Sequence, residues 1–124
     1  MGGTKLTRRA AVAVLCLGLA GTALAGEVIH KVGRVTWHPT GYVGKVLAMK
    51  GYVLKAEDGY VLFSDEAGGA ISAHDLPVNG VGFDTMKMGT LYLLHGTFLK
   101  GGLTASNGNP YHLELTEAPQ ILPH

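Results

Sequence analysis

Six histidines, His30, His38, His74, His95, His112 and His124, are the side chains best equipped for chemistry in this 124-residue chain. Imidazole is a ligand for zinc, copper and nickel. No two of them stand at HxH or HxxxH spacing, so a metal site would have to be assembled by the fold. His95 and His112 are the pair most open to that, because both fall on outward positions of strands expected to be neighbours. Met86-x-Met88 offers thioethers of the kind that hold Cu(I), but the aromatic and histidine that would complete such a site, Trp37 and His38, are far away in sequence. Gap filling in the core is the simpler use of these methionines. Ser72-x-His74-Asp75 holds the residue types of a hydrolytic triad. A serine two residues before a histidine on one strand shares its face, however, and lacks the strained elbow that exposes a nucleophile. Phosphoryl chemistry needs cationic clamps, and after the first nine residues the chain has one arginine, Arg34. No Gly-rich loop ends in Lys-Ser/Thr. The sequence therefore points to no catalysis and no cofactor, with metal handling through His95 and His112, or through Met86 and Met88, as the alternative.

The elements that must position these groups read as β throughout. Gly44 to Val53 alternates, with Leu47, Met49, Gly51 and Val53 on one face and Ala48, Lys50 and Tyr52 on the other. Gly89 to Phe98 repeats the layout, with Tyr92, Leu94, Gly96 and Phe98 at the same offsets from the leading glycine. A glycine inside an apolar face marks a bulge, a bend or close approach of another backbone. Two long strands bent in this way predict a sheet coiling into a small barrel. Between them, Tyr60 to Asp65 and Ala70 to His74 read as short strands, followed by a crossover over Asp75 to Gly89 with one helical turn near Phe83 to Lys87. Tyr111 to Leu115 is the last strand, after a Gly-rich connection from Gly101 to Pro110. Val28 to Val35 reads as a short strand. The expected core is Leu47, Met49, Val53, Val61, Phe63, Ile71, Tyr92, Leu94, Phe98, Leu113 and Leu115. That order of strands predicts an all-β fold, the five-stranded Greek-key barrel of the OB-fold, with a short helical turn between strands three and four.

The first segment has a different logic. Lys5, Arg8 and Arg9 precede an uncharged apolar run from Ala10 to Ala20, and Ala23-Leu24-Ala25 follows. This is the layout of a secretory signal peptide cleaved after Ala25. The run breaks at Gly21-Thr22, short of the roughly 20 apolar residues of a spanning helix, so no membrane anchor is expected after cleavage. Leu15 before Cys16 argues against a lipoprotein, and alanines follow Thr7-Arg8-Arg9 where a twin-arginine signal has bulky residues. The expected division is 1–25 signal peptide, 26–43 N-terminal extension, 44–118 barrel and 119–124 C-terminal tail. Removing 25 of the 124 residues leaves 99, with seven Lys/Arg and nine Asp/Glu, a net charge of −2 and no cysteine. The destination is the periplasm or the exterior.

The stretch Gly44 to Leu115 resembles the small exported bacterial OB-fold proteins of the BOF family. The resemblance is carried by Met49-Lys50-Gly51-Tyr52-Val53, by Tyr60 to Gly68 and by His95-Gly96-Thr97-Phe98. The glycine-rich connection before the last strand is longer here than in that family. The resemblance implies a periplasmic, non-catalytic module associated with stress responses. Nucleic acid, a frequent OB-fold ligand, is not expected. Single-strand sites combine a basic groove with stacking aromatics, whereas this chain would be acidic after cleavage, with Glu57-Asp58 and Asp65-Glu66 at the tips framing the usual face. What remains is binding of a small ligand or an envelope protein by outward residues, with Lys50, Tyr52, Tyr60, His74 and His95 as candidates and the Gly101–Pro110 connection placed to cover a groove. Unpaired strand edges would also allow self-association.

Overall fold

A computed structural model describes residues 27–123, so the reading of a signal peptide lies outside the described residues. Seven strands are present: β1 (Ile29–Lys31), β2 (Val46–Ala56), β3 (Val61–Ser64), β4 (Leu76–Gly80), β5 (Leu91–Lys100), β6 (Tyr111–Leu115) and β7 (Gln120–Ile121). A five-residue helix, α1 (Val32–Thr36), and two 3-10 turns, Pro39–Tyr42 and Phe83–Thr85, complete the regular structure. The sheet runs β1-β2-β3-β4-β6-β5-β7, and β2 also pairs with β5, which closes five strands into a barrel. The closing pairs are antiparallel except β4 with β6, which is parallel.

The two long strands behave as their glycines predict. Leu47, Met49 and Val53 of β2 and Tyr92, Leu94 and Phe98 of β5 all enter the buried core. A Cβ on Gly51 would collide with the Ser64 carbonyl oxygen, and one on Gly96 would lie 2.6 Å from the Glu114 carbonyl oxygen. At both places the backbone of the neighbouring strand, β3 or β6, leaves no room for a side chain. Beyond Gly51 the β2–β3 register slips between Val53 and Lys55, a bulge that bends β2 further from β5 to β3.

Three expectations need correction. Ala70 to His74 is not a strand; its place in the barrel is taken by β4, inside the segment expected as crossover. Asp75 accepts a hydrogen bond from the Ser72 backbone N–H, the Ser72 hydroxyl accepts one from the His74 N–H, and these local bonds fold the segment as a turn. Ile71 therefore leaves the core and is 46% exposed, while Leu76 and Val78 are fully buried in its stead. The expected Val28–Val35 strand ends at Lys31 and continues as α1. Val-Gly-Arg-Val-Thr is a poor helix former. Two external contacts hold it: the Asp65 carboxylate accepts the Val32 and Gly33 backbone N–H groups at 2.6 and 2.9 Å, and Val32 and Val35 are buried in the main core. The segment ahead of the barrel is thus part of it, through α1 and through parallel pairing of β1 with β2.

Candidate functional site

Parallel pairing of β1 with β2 puts Ile29 beside Ala48, His30 beside Met49 and Lys31 beside Lys50. Paired residues of parallel strands share a face. His30 turns inward with Met49 and meets Tyr42 edge to ring at 5.3 Å, so Lys31 and Lys50 stand together on the outside. They line a cleft of about 380 Å³ with Tyr52, Leu91, Asp65 and Glu66, and its floor is the bend at Gly51. Like charges directly opposite on neighbouring strands repel. Neither lysine has an ion-pair partner among the described residues; the Lys–carboxylate pair present there is Lys55 with Glu57. Asp65, the nearest acid by position, has both oxygens committed to the α1 backbone. The cleft therefore carries two lysines beside a tyrosine, a leucine and two carboxylates, of which Asp65 is committed to the α1 backbone and Glu66 stands exposed at the edge.

The sequence candidates part company here. Lys50 and Tyr52 come together in this cleft. Tyr60 does not join them: it is buried, its hydroxyl accepts the Ser106 backbone N–H at 2.7 Å, and it packs with Leu62, Leu103 and Ala105 in a second small core. Its expected outward exposure is corrected because the Gly101–Pro110 connection folds over it. His74 sits in the turn after β3, stacked on Trp37 with centroids 3.6 Å apart and ring planes at 16°. His95 is on the outer face of β5, donating to Glu27 at 3.0 Å with Glu117 3.8 Å from its other nitrogen.

His95 and His112 are not brought together. His112 pairs with Leu99, four residues along β5 from His95, which is a separation of about 13 Å at the ordinary strand rise. His112 is also buried, at 5% exposure, rather than outward in solvent. Met86 is buried in the main core and Met88 is 66% exposed, so they do not face one another as ligands. No group of three or more His, Cys, Asp or Glu side chains among the described residues is placed to hold a metal ion.

The face that the Gly101–Pro110 connection covers is built from one row across four strands. Leu62 pairs with Pro77, His112 lies one step before the Val78–Leu113 pair, and Leu99 pairs with His112. The connection is tied down at its crest. Ser106 donates its N–H to Tyr60 and its hydroxyl to Glu57 at 2.6 Å. That hydroxyl, ahead of Lys55, holds the Glu57 carboxyl below the usual carboxylate range. The Asn107 and Asn109 amides donate to the Asp75 carbonyl oxygen at 2.9 and 3.0 Å.

Solved structures share this architecture. Two OBody chains described as bound to hen egg-white lysozyme superpose with TM-scores of 0.54 and 0.53, at 20% and 19% identity, each match covering 75% of this chain and 92% and 91% of the other. A DUF3299 family protein from Pseudomonas aeruginosa superposes with a TM-score of 0.52 at 15% identity, covering 91% of this chain and 86% of its own. The barrel is an OB-fold. No protein-family model and no curated protein matches the chain.

In an OB-fold, the second and third barrel strands and the loops before the second and last strands form the usual binding face for oligonucleotides and oligosaccharides. Here those are β3 and β4, the turn at Glu57–Tyr60 and the Gly101–Pro110 connection. The usual face is thus filled by the protein's own loop, while the Lys31–Lys50 cleft on the far side of the β2 bend stays open. Lys31, Asp65, Glu66 and Leu91 were missed as cleft residues. Asp65-Glu66 was legible as an acidic tip, but the pairing of Lys31 with Lys50 depends on a parallel register that no periodicity encodes.

Proposed function

We propose that this chain is an exported, non-catalytic OB-fold module of the bacterial envelope that binds a small anionic ligand in the Lys31–Lys50 cleft. One observation carries the ligand class: two lysines in register on adjacent strands, without ion-pair partners among the described residues, at the mouth of a cleft of about 380 Å³. That volume suits a small molecule. An anion between two ammonium groups replaces their repulsion with two charge-assisted hydrogen bonds. Leu91 and the Tyr52 ring supply apolar surface beside it. The export reading rests on the basic, apolar and small-residue order of the first 25 residues. Association with stress responses rests on the resemblance to the BOF family at Gly44 to Leu115. Absence of catalysis accords with the use of Ser72, His74 and Asp75, whose polar groups and ring fold a turn and stack on Trp37. Metal handling by His95 and His112 has less support, since the two lie four strand positions apart.

Two experiments test this. Cell fractionation with N-terminal sequencing should recover a chain beginning at Gly26 from the periplasm or medium; a full-length chain in the cytoplasm would refute export. NMR titration with inorganic phosphate and, separately, citrate should give saturable shifts at Lys31, Lys50 and Tyr52 in one or both arms. A Lys31→Ala/Lys50→Ala variant should lose them. Shifts absent from both arms, or retained in the double variant, would refute the cleft.

A further inference from the structure

We infer that the Gly101–Pro110 loop is a lid released by acid, with His112 as the group that senses the proton. This goes beyond the cleft reading and does not depend on it. The lid covers the outer row of Leu62, Pro77, His112 and Leu99, and Leu103 and Ala105 pack with Leu62 and Tyr60 in a core separate from that of the barrel. Its two ends turn on glycines, with Gly101, Gly102 and Gly108 all at positive φ, and the loop itself encloses an open cavity of about 430 Å³. What holds it shut is a short set of hydrogen bonds from Ser106, Asn107 and Asn109 to Tyr60, Glu57 and the 72–75 turn.

His112 lies under the hinge. Its Cε1 is 3.8 Å from where a Cβ on Gly102 would be, and its Nδ1 is buried without a hydrogen-bond partner among the described residues. A neutral imidazole can leave that nitrogen as an idle acceptor. A protonated one carries a second N–H, and a buried donor with no acceptor is costly. The surrounding elements offer little relief. The loop has no titratable side chain from Gly101 to Pro110. β4 presents Pro77 and Asn79, and β5 presents Leu99 and Thr97. Lys100 at the end of β5 lies over the Tyr111 ring, and Tyr60 is a phenol hydrogen-bonded to the loop. Glu57 and Asp75 lie farther off, at the lid's edge, and Glu114, two residues along β6, is the acid among the described residues whose charge acts on the imidazole. Burial outweighs the pull of Glu114 and of the Gly101 backbone, and the His112 imidazole titrates below its ordinary value.

The sign follows from linkage. The open state holds an imidazole of ordinary affinity and the closed state one of lower affinity, so the open state binds the proton better. Closure is fully stable above the exposed value near 6.5 and weakens as the pH falls through it. The opening constant should rise by up to about tenfold per pH unit below that value, then level off once the closed-state imidazole also protonates. Opening would uncover Tyr60, Leu62 and Pro77, the face other OB-folds use, only under acid conditions.

The test is hydrogen exchange followed by NMR on the whole protein between about pH 7.5 and pH 4.5, corrected for intrinsic exchange. Protection of the Ser106 amide, whose N–H is bonded to Tyr60, should fall with the slope given above, while Phe63 and Leu94 in the barrel stay protected. His112→Phe, which keeps a planar ring and removes the proton site, should flatten the dependence; His112→Gln serves if that variant does not fold. His95→Gln should leave it intact. A wild-type loop whose protection does not change with pH would overturn the inference. So would acid opening that survives in the His112 variants between about pH 7.5 and 5.5, above the ordinary value of Glu57 at 4.5, or loss of barrel protection in step with the loop.

Discussion

Replacing Gly51 with alanine adds one methyl group where the β3 backbone leaves no room for it. The new carbon would fall deep inside the van der Waals radius of the Ser64 carbonyl oxygen, 3.1 Å from the Ser64 carbonyl carbon and 3.0 Å from Phe63 Cε2. The Phe63 ring is fully buried and the Ser64 oxygen belongs to the backbone of β3, so neither is a flexible end that can swing aside. Relief requires moving β3 away from β2 by on the order of 1 Å, and overpacking of that kind costs about 1–3 kcal/mol. Alanine returns about 0.4–1 kcal/mol by restricting the unfolded chain. The net expectation is a loss of about 1–2 kcal/mol, which for a domain of this size lowers Tm by roughly 4–16 °C. Gly69→Ala is the matched control: a Cβ there meets nothing within 4 Å, and its effect should stay within about 0.5 kcal/mol. Urea and thermal unfolding of both variants, followed by circular dichroism, measure the difference. A Gly51→Ala protein as stable as wild type would refute the argument that β3 crosses β2 at this residue.

The same packing sets two further outcomes. Phe63→Ala should cost about 3–5 kcal/mol in urea unfolding, because the ring is fully buried in the main core; a cost under about 1 kcal/mol would show that the β3 register is wrong. Asp65→Ala should cost about 1–2 kcal/mol by removing the acceptor of the Val32 and Gly33 N–H groups, with faster amide exchange confined to α1; unchanged exchange at both residues would show that the helix does not depend on that carboxylate.

Period-two alternation made β2, β3, β5 and β6 legible, because each buries one face and exposes or separately covers the other. The inward glycines were legible as points of bulge, bend or close approach, and the structure shows close approach at both Gly51 and Gly96. The β4 segment was not. Leu-Pro-Val-Asn-Gly contains a proline and a glycine, which argue against a strand, whereas Ala-Ile-Ser-Ala-His alternates. Ladder pairing with β3 and β6 decided in favour of the first. The α1 helix escaped because its residues favour extended backbone and its cap, Asp65, comes from thirty-three residues downstream. At the site, Lys50 and Tyr52 were legible as outward alternates of β2. Tyr60 and His112 fell on outward positions by the same rule, yet both are buried, because alternation reports which side of a strand a residue takes and not whether a loop lies over that side.

The covered face bears on nucleic-acid binding more directly than net charge does. Stacking of bases requires exposed rings along a basic track. Tyr60, the aromatic residue beside Leu62 on the usual face, is occupied on its ring by the loop and on its hydroxyl by Ser106. Glu57 stands at the same edge, bonded to the Ser106 hydroxyl. A strand of nucleic acid would therefore have to displace the lid, break these bonds and then meet a carboxylate. Glu57 is held below the usual carboxylate range while the lid is closed. Once the lid opens, Glu57 loses the Ser106 hydroxyl and can take up a proton itself. That adds a second, weaker reason for acid to favour the open state.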